Sequence, residues 1–253
     1  MYPDLIQIGS VTVSSYSVMV TIAYLIGYIF LGLEVKRKGL DDSLADWVLL
    51  AILFGGLGGA KIFFLIQNVT FSEFFNEPLR FLSSGLTFLG GLFAASFLIF
   101  LVGIWKKTSF WTLTDCAAPA LILAYGIGRI GCLLVGDDYG TPTTVPWALS
   151  FPGGSPPTTE SVHPTQIYDT IIMSFVFLLL WGIRKYNFPS GWMFSLMLMI
   201  LGFQRFFIEF IRSTTPSFID GFSQAQLISI AIFVLGASNL LRLKFLQNKP
   251  ALT

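Results

Sequence analysis

Seven apolar runs, each close to the roughly 20 residues that a helix needs to cross hydrocarbon, constrain this chain more than any other feature. They cover residues 13–33, 47–66, 85–105, 112–134, 164–183, 191–211 and 225–242. A backbone in lipid must satisfy its own hydrogen bonds, and runs this long do so as helices. The expected fold class is therefore all-α: a polytopic membrane protein with seven transmembrane helices. Only 11% of the 253 residues are charged, against about a quarter in soluble domains, which excludes an ordinary water-soluble core.

The basic residues orient the helices. Lys36, Arg37, Lys38, Lys106, Lys107, Arg184, Lys185, Arg242, Lys244 and Lys249 fall in alternate loops or the C-terminal tail, and the opposite loops hold only Arg80. By the positive-inside rule the crowded side is cytoplasmic, with the N-terminus extracytoplasmic and the C-terminus cytoplasmic. The first ten residues lack Lys and Arg, and no small-residue cleavage site follows the first run. That run reads as a retained helix and not as a signal peptide. The domain expectation is a single membrane domain, 1–253, with outer loops 67–84 and 135–163. Phe71, Phe74, Phe75 and Phe81 give the first loop the pattern of a short interfacial helix. Prolines and the absence of periodicity mark the second as an ordered lid or binding loop. A net charge of +1 argues against nucleic acid as a partner. Cys116 and Cys132 provide neither a metal spacing nor a disulfide framework.

Lys61, Arg129, Arg205 and Arg212 lie late in outward-running spans. Tyr16, the Gly90–Gly91 pair, His163, Gln166 and Asp169 lie early in inward-running ones. All therefore fall in the outer half of the membrane, where an intramembrane charge marks a site unless it snorkels or pairs locally, as Arg205 can with Glu209. Gly55, Gly56, Gly58, Gly59 and Gly90–Gly91 read first as helix-packing residues. Gly126, Gly128 and Gly131 around Arg129 predict a helix that loosens and presents its backbone to a ligand. The same glycines form a Gly-x-Gly-x-x-Gly pattern, but no strand precedes it, so a dinucleotide site is excluded.

Gly128-Arg129-Ile130-Gly131, Gly136-Asp137-Asp138-Tyr139-Gly140, His163-Pro164-Thr165-Gln166-Ile167-Tyr168 and Arg205-Phe206-Phe207-Ile208-Glu209-Phe210-Ile211-Arg212 together resemble the bacterial prolipoprotein diacylglyceryl transferases. Tyr16 in the first span and Ser84–Gly91 at the third fit the same order. The resemblance implies an inner-membrane enzyme that moves the diacylglyceryl group of phosphatidylglycerol to the thiol of a lipobox cysteine in a prolipoprotein signal peptide, releasing glycerol phosphate. It implies functional roles for Arg129, Arg205, Tyr16, Asp137, Gly140 and Glu209, and no cofactor or metal. Three positions depart from the family's pattern. Leu89 stands where a histidine often precedes the paired glycines, Cys132 where asparagine is common, and Asp137 where glutamate is common.

The chemistry suits these residue types. Negative charge develops on a departing phosphate oxygen, and guanidinium groups grip phosphate through two hydrogen bonds while staying charged. A thiol with a pKa near 8.5 also needs a base or nearby positive charge to become a nucleophile. The candidate catalytic residues are Arg129, Arg205, Tyr16, Asp137 and His163. The candidate substrate-binding residues are Gly128, Gly131, Gly140, Gly90, Gly91, Gln166, Glu209, Arg212 and Lys61, with membrane lipids as further partners. His163 has two readings, as a base or phosphate ligand and as a cap for the fifth helix, with a structural or ligand-positioning role preferred to that of base. Cys132 reads as inert packing. Two other functions are weighed: a catalytically altered relative that binds phospholipid or lipoprotein without transfer, motivated by Leu89, and a lipid transporter. The transporter is disfavoured because polarity is confined to one half of the membrane without an inverted repeat.

Overall fold

The computed structural model describes residues 3–8, 11–68, 85, 87–212, 217–219 and 221–247. Among them, six helices are long and apolar enough to cross a membrane, and a seventh, Leu89–Trp105, is apolar but shorter. The proposed interfacial helix in loop 67–84 lies, after its first two residues, outside the described residues apart from Gly85 just beyond it.

A hairpin of β1 (Asp4–Ile8) and β2 (Val11–Ser14) precedes α1 (Ser15–Arg37). Sequence reading missed it, because the alternating β-branched Val11-Thr12-Val13 is too short to stand out beside an apolar run. Ser14 ends the strand and starts the helix, its Oγ accepting the Ser17 N–H at 3.2 Å as a cap. Tyr16 thereby enters the first turn of α1.

The chain divides into two compact units, Leu31–Cys116 and Met1–Phe30 with Ala117–Thr253. In the first, α2 (Ser43–Leu53) continues through a π-helical turn, Phe54–Gly58, into α3 (Gly59–Asn68), which packs on α4 (Phe88–Trp105). The glycines set this contact. A Cβ on Gly55 would stand 2.5 Å from Ala95 Cα, one on Gly59 2.6 Å from Gly90 O, and one on Gly91 2.6 Å from Gly56 O. Backbones this close need residues without side chains. The open faces of Gly90 and Gly91 therefore meet another helix, in keeping with the packing role read for them first.

The second unit packs α5 (Phe110–Val135, from Ala117 onward), α6 (Thr165–Ile183) and α7 (Trp192–Ile208) around Ala118, Ile122, Met173, Val176, Phe177, Leu180, Met193 and Met197. Phe30 of α1 sits edge-on against Phe177 and Trp181. Helix α8 (Gln224–Gln247) lies along α7. Gly202 faces the backbone of Ser229 and Phe233, and Gly236 that of Ser195 and Met199. Loop 135–163 contains an antiparallel hairpin, β3 (Leu149–Phe151) and β4 (Thr158–Val162). Tyr139 stacks on Phe151 at 5.4 Å beside Val162, giving the loop a small core of its own. A last short hairpin, β5 (Ser217–Ile219) and β6 (Phe222–Ser223), leads into α8.

Candidate active site

The end of α5 is a helix-stop motif that delivers two aspartates. Gly136 adopts φ +77°, and the N–H groups of Gly136 and Asp137 both reach Cys132 O, at 2.8 and 3.1 Å. This is the 6→1 closure that a left-handed glycine permits after a helix. Asp138 is also left-handed, at φ +58°, a conformation that aspartate tolerates better than bulkier residues.

The start of α6 clamps this turn. Gln166 Nε2 donates to Asp137 O at 2.5 Å, and Thr165 Oγ1 donates to Asp138 O at 2.6 Å. Gly140 then runs between two other segments. Its N–H donates to His163 O at 2.8 Å, it bridges Arg212, and Thr141 N–H donates to Ile211 O at 2.8 Å. A Cβ on Gly140 would lie 2.8 Å from His163 Cβ and closer still to Ile211 O. Gly140 is thus a point of close backbone approach that tethers Arg212 to the aspartate turn.

Three arginines and three carboxylates meet there. Arg129 Nη1 donates to Asp138 Oδ2 at 2.8 Å, Arg129 Nε lies 2.9 Å from Asp169 Oδ2, and both Nε and Nη2 donate to Tyr125 Oη. Arg212 Nη2 binds Asp138 Oδ1. Arg205 Nη2 lies 2.9 Å from Glu209 Oε2, while Ser223 Oγ donates to the other Glu209 oxygen at 3.1 Å. Gln204 Nε2 donates to Asp169 Oδ1 at 2.5 Å. Burial opposes ionisation of Asp138, but the guanidinium groups of Arg212 and Arg129 win and hold its carboxyl below the usual range.

The snorkelling alternative does not describe these arginines. Their side chains are 11% (Arg129), 24% (Arg205) and 6% (Arg212) exposed. Arg212 is the most buried of the three. Gly126, Gly128 and Gly131 do not loosen α5, which continues unbroken to Val135. Gly131 instead brings Tyr16 within 3.4 Å and Met19 within 3.0 Å of its would-be Cβ, and Gly128 has an open face. Tyr16, 46% exposed, lies close enough to Cys132, Asp137, Arg129 and Asp138 to interact electrostatically. His163 does not cap α6 with its side chain. Its Nδ1 lies 3.1 Å from Tyr168 Oη, which accepts the Trp147 indole N–H at 2.7 Å. Lys61 belongs to the other unit, its Nζ donating to Gly85 O at 3.0 Å.

Cys132, Asp137 and Asp138 bring donor atoms within 4.8 Å of one another. Guanidinium groups occupy both Asp138 oxygens, so the positive charge a cation would supply is already present. Sequence reasoning put Asp169 among the polar residues of the outer half and Asp138 in the family motif without giving either a role, and did not single out Tyr125, Gln204 or Ser223. A signal existed for Asp169: an intramembrane carboxylate needs a partner, and several cations, Arg129 among them, lie at the same depth.

A profile of the prolipoprotein diacylglyceryl transferases matches residues 3–242. The chain belongs to this family. Relatives named phosphatidylglycerol–prolipoprotein diacylglyceryl transferase include those of Clostridium tetani, 31% identical over 93% of this chain and 95% of the relative, and Geobacter sulfurreducens, 30% identical over 92% of each. A third, from Mannheimia succiniciproducens, is 32% identical over 93% of this chain and 90% of its own. The family match covers both the arginine–carboxylate cluster and the hairpin loop that frames it.

Proposed function

We propose that this chain transfers the diacylglyceryl group of phosphatidylglycerol to the thiol of a lipobox cysteine in a prolipoprotein signal peptide, forming a thioether and releasing glycerol phosphate. One observation carries the reading: Arg205 Nη1 and Arg212 Nε and Nη1 are buried without a hydrogen-bond partner among the described residues. Buried cationic donors left open call for an anion with several acceptors, and a phosphodiester supplies them. The names of the relatives agree with that ligand.

In this reading Arg205 and Arg212 bind the phosphate and stabilise charge on its departing oxygen. Asp138, Asp169, Tyr125 and Glu209 hold the guanidinium groups in place, so little reorganisation accompanies the reaction. Gln166, Thr165 and Gly140 fix the backbone between them, and His163 supports the loop through Tyr168. Gly128 has an open face and the ring of Tyr16 is half exposed, and substrate approaches beside them in this reading. The membrane frame is a single domain of seven spans, N-terminus extracytoplasmic, in the bacterial inner membrane, with the cluster in its outer half.

The test is transfer by purified protein in detergent, given phosphatidylglycerol and a lipobox peptide, with peptide mass followed. The peptide gains one diacylglyceryl group. An unchanged mass at every pH, together with retained phospholipid binding, would favour the non-transferring relative that Leu89 motivates.

A further inference from the structure

Four carboxylates surround the arginines, and they are not equivalent. Asp138, Asp169 and Glu209 each lie within 4 Å of a guanidinium nitrogen. Asp137 forms no such pair among the described residues, and its Oδ1 is buried without a hydrogen-bond partner. Its backbone is held on both sides, by Cys132 O at its N–H and by Gln166 at its carbonyl. Its side chain already engages a thiol, that of Cys132. The groups facing it are Tyr16 from α1, Cys132 and Arg129 from α5, the adjacent Asp138, and Arg212 beyond α7.

We propose that Asp137 is the general base for the attacking thiol, an assignment that rests on the transferase reading above. The Asp137 carboxylate takes the proton from the substrate S–H. The sulfur electron pair forms the bond to the glycerol carbon. The carbon–oxygen bond to phosphate breaks with its pair leaving on the phosphate oxygen. Thioether and glycerol phosphate result, and Asp137 passes its proton to water. The division of labour follows from the pairing: a carboxylate clamped between guanidinium groups is a poor proton acceptor, and the unpaired one is a better base. Burial, partly offset by the Cys132 hydrogen bond, raises the Asp137 carboxyl above its ordinary value and so closer to a thiol.

The test compares wild type, Asp137→Asn and Asp137→Glu on two lipobox peptides, one with cysteine and one with selenocysteine, whose selenol ionises at neutral pH without a base. Asp137→Asn should lose about a hundredfold or more of transfer to the thiol peptide, the usual share of general-base assistance. It should lose less than about tenfold with the selenol peptide, and Asp137→Glu should retain transfer to both. In wild type alone, the acid limb of the pH profile should appear with the thiol and not with the selenol, a readout independent of any variant's folding. Equal loss on both peptides makes Asp137 structural and overturns the assignment, as does unchanged transfer to the thiol by Asp137→Asn. Wild type that modifies neither peptide sinks the transferase reading itself, an outcome distinct from failure of the base alone.

Discussion

Each arginine of the cluster is fixed by a different device: Arg129 by two aspartates and a tyrosine, Arg205 by a carboxylate one turn on, and Arg212 by an aspartate 74 residues away. Replacing Arg129, Arg205 or Arg212 with Lys keeps charge and loses the planar fork. Each should lower transfer about 10- to 100-fold, the loss expected when a charged hydrogen bond is removed. Near-normal rates for all three Lys variants would disconnect the cluster from the chemistry. Asp169 is wholly buried between Arg129 and Gln204. Asp169→Asn should destabilise the fold by about 3 kcal/mol, the low end for breaking a buried pair, because asparagine can still accept hydrogen bonds. Thermal unfolding in detergent measures this. Asp137 has the opposite sign. Its raised carboxyl binds a proton more tightly when folded, so it is neutral below the unfolded value of about 3.9 and destabilising as pH rises through the folded one. Asp137→Asn should therefore melt higher than wild type at neutral pH and lose that advantage near about pH 3. An unchanged or lower midpoint at neutral pH would contradict the burial of this carboxyl.

At the scale of elements, the junction after α5 matters most, because one residue decides where both aspartates point. Gly136→Ala puts a Cβ at φ +77° and should cost about 1–2 kcal/mol. It should also reduce transfer, since Asp137 and Asp138 follow directly. Stability loss with full activity would mean that the site tolerates a displaced turn. Gly140→Ala meets backbone on one side and His163 on the other. It should break the strand-like tether of Arg212 without replacing any member of the arginine–carboxylate cluster. The motif from His163 to Gln166 acts in the same way, because the side chains of Thr165 and Gln166 hold main-chain oxygens of the aspartate turn.

For the molecule as a whole, the testable statement is orientation. A reporter active only outside the cytoplasm, fused after Asp138, should be active, and the same fusion after Lys185 should be silent. The reverse pattern would move the cluster to the cytoplasmic half of the membrane and remove it from secreted substrates. The basic residues that support this orientation are also locally anchored, as when Lys106 Nζ pairs with Asp41 at 3.1 Å and lies over the Trp105 ring.

Length and apolarity determined the helices, because a backbone in hydrocarbon has few other ways to satisfy its hydrogen bonds. Arg129 and Arg205 were equally legible, since a charge in a span must have a reason. What the sequence left open was pairing. Glu209 could be paired with Arg205 from its spacing alone, but Asp138 and Asp169 are identical in kind to Asp137, and only the packing of α5, α6 and α7 decides which of these aspartates meets a guanidinium group and which, among the described residues, does not. Glycine was ambiguous for the same reason. Gly90 and Gly91 close a helix contact, whereas Gly136 turns the chain at the site. A residue without a side chain carries no signal of its own until a neighbouring backbone or a positive φ assigns it one.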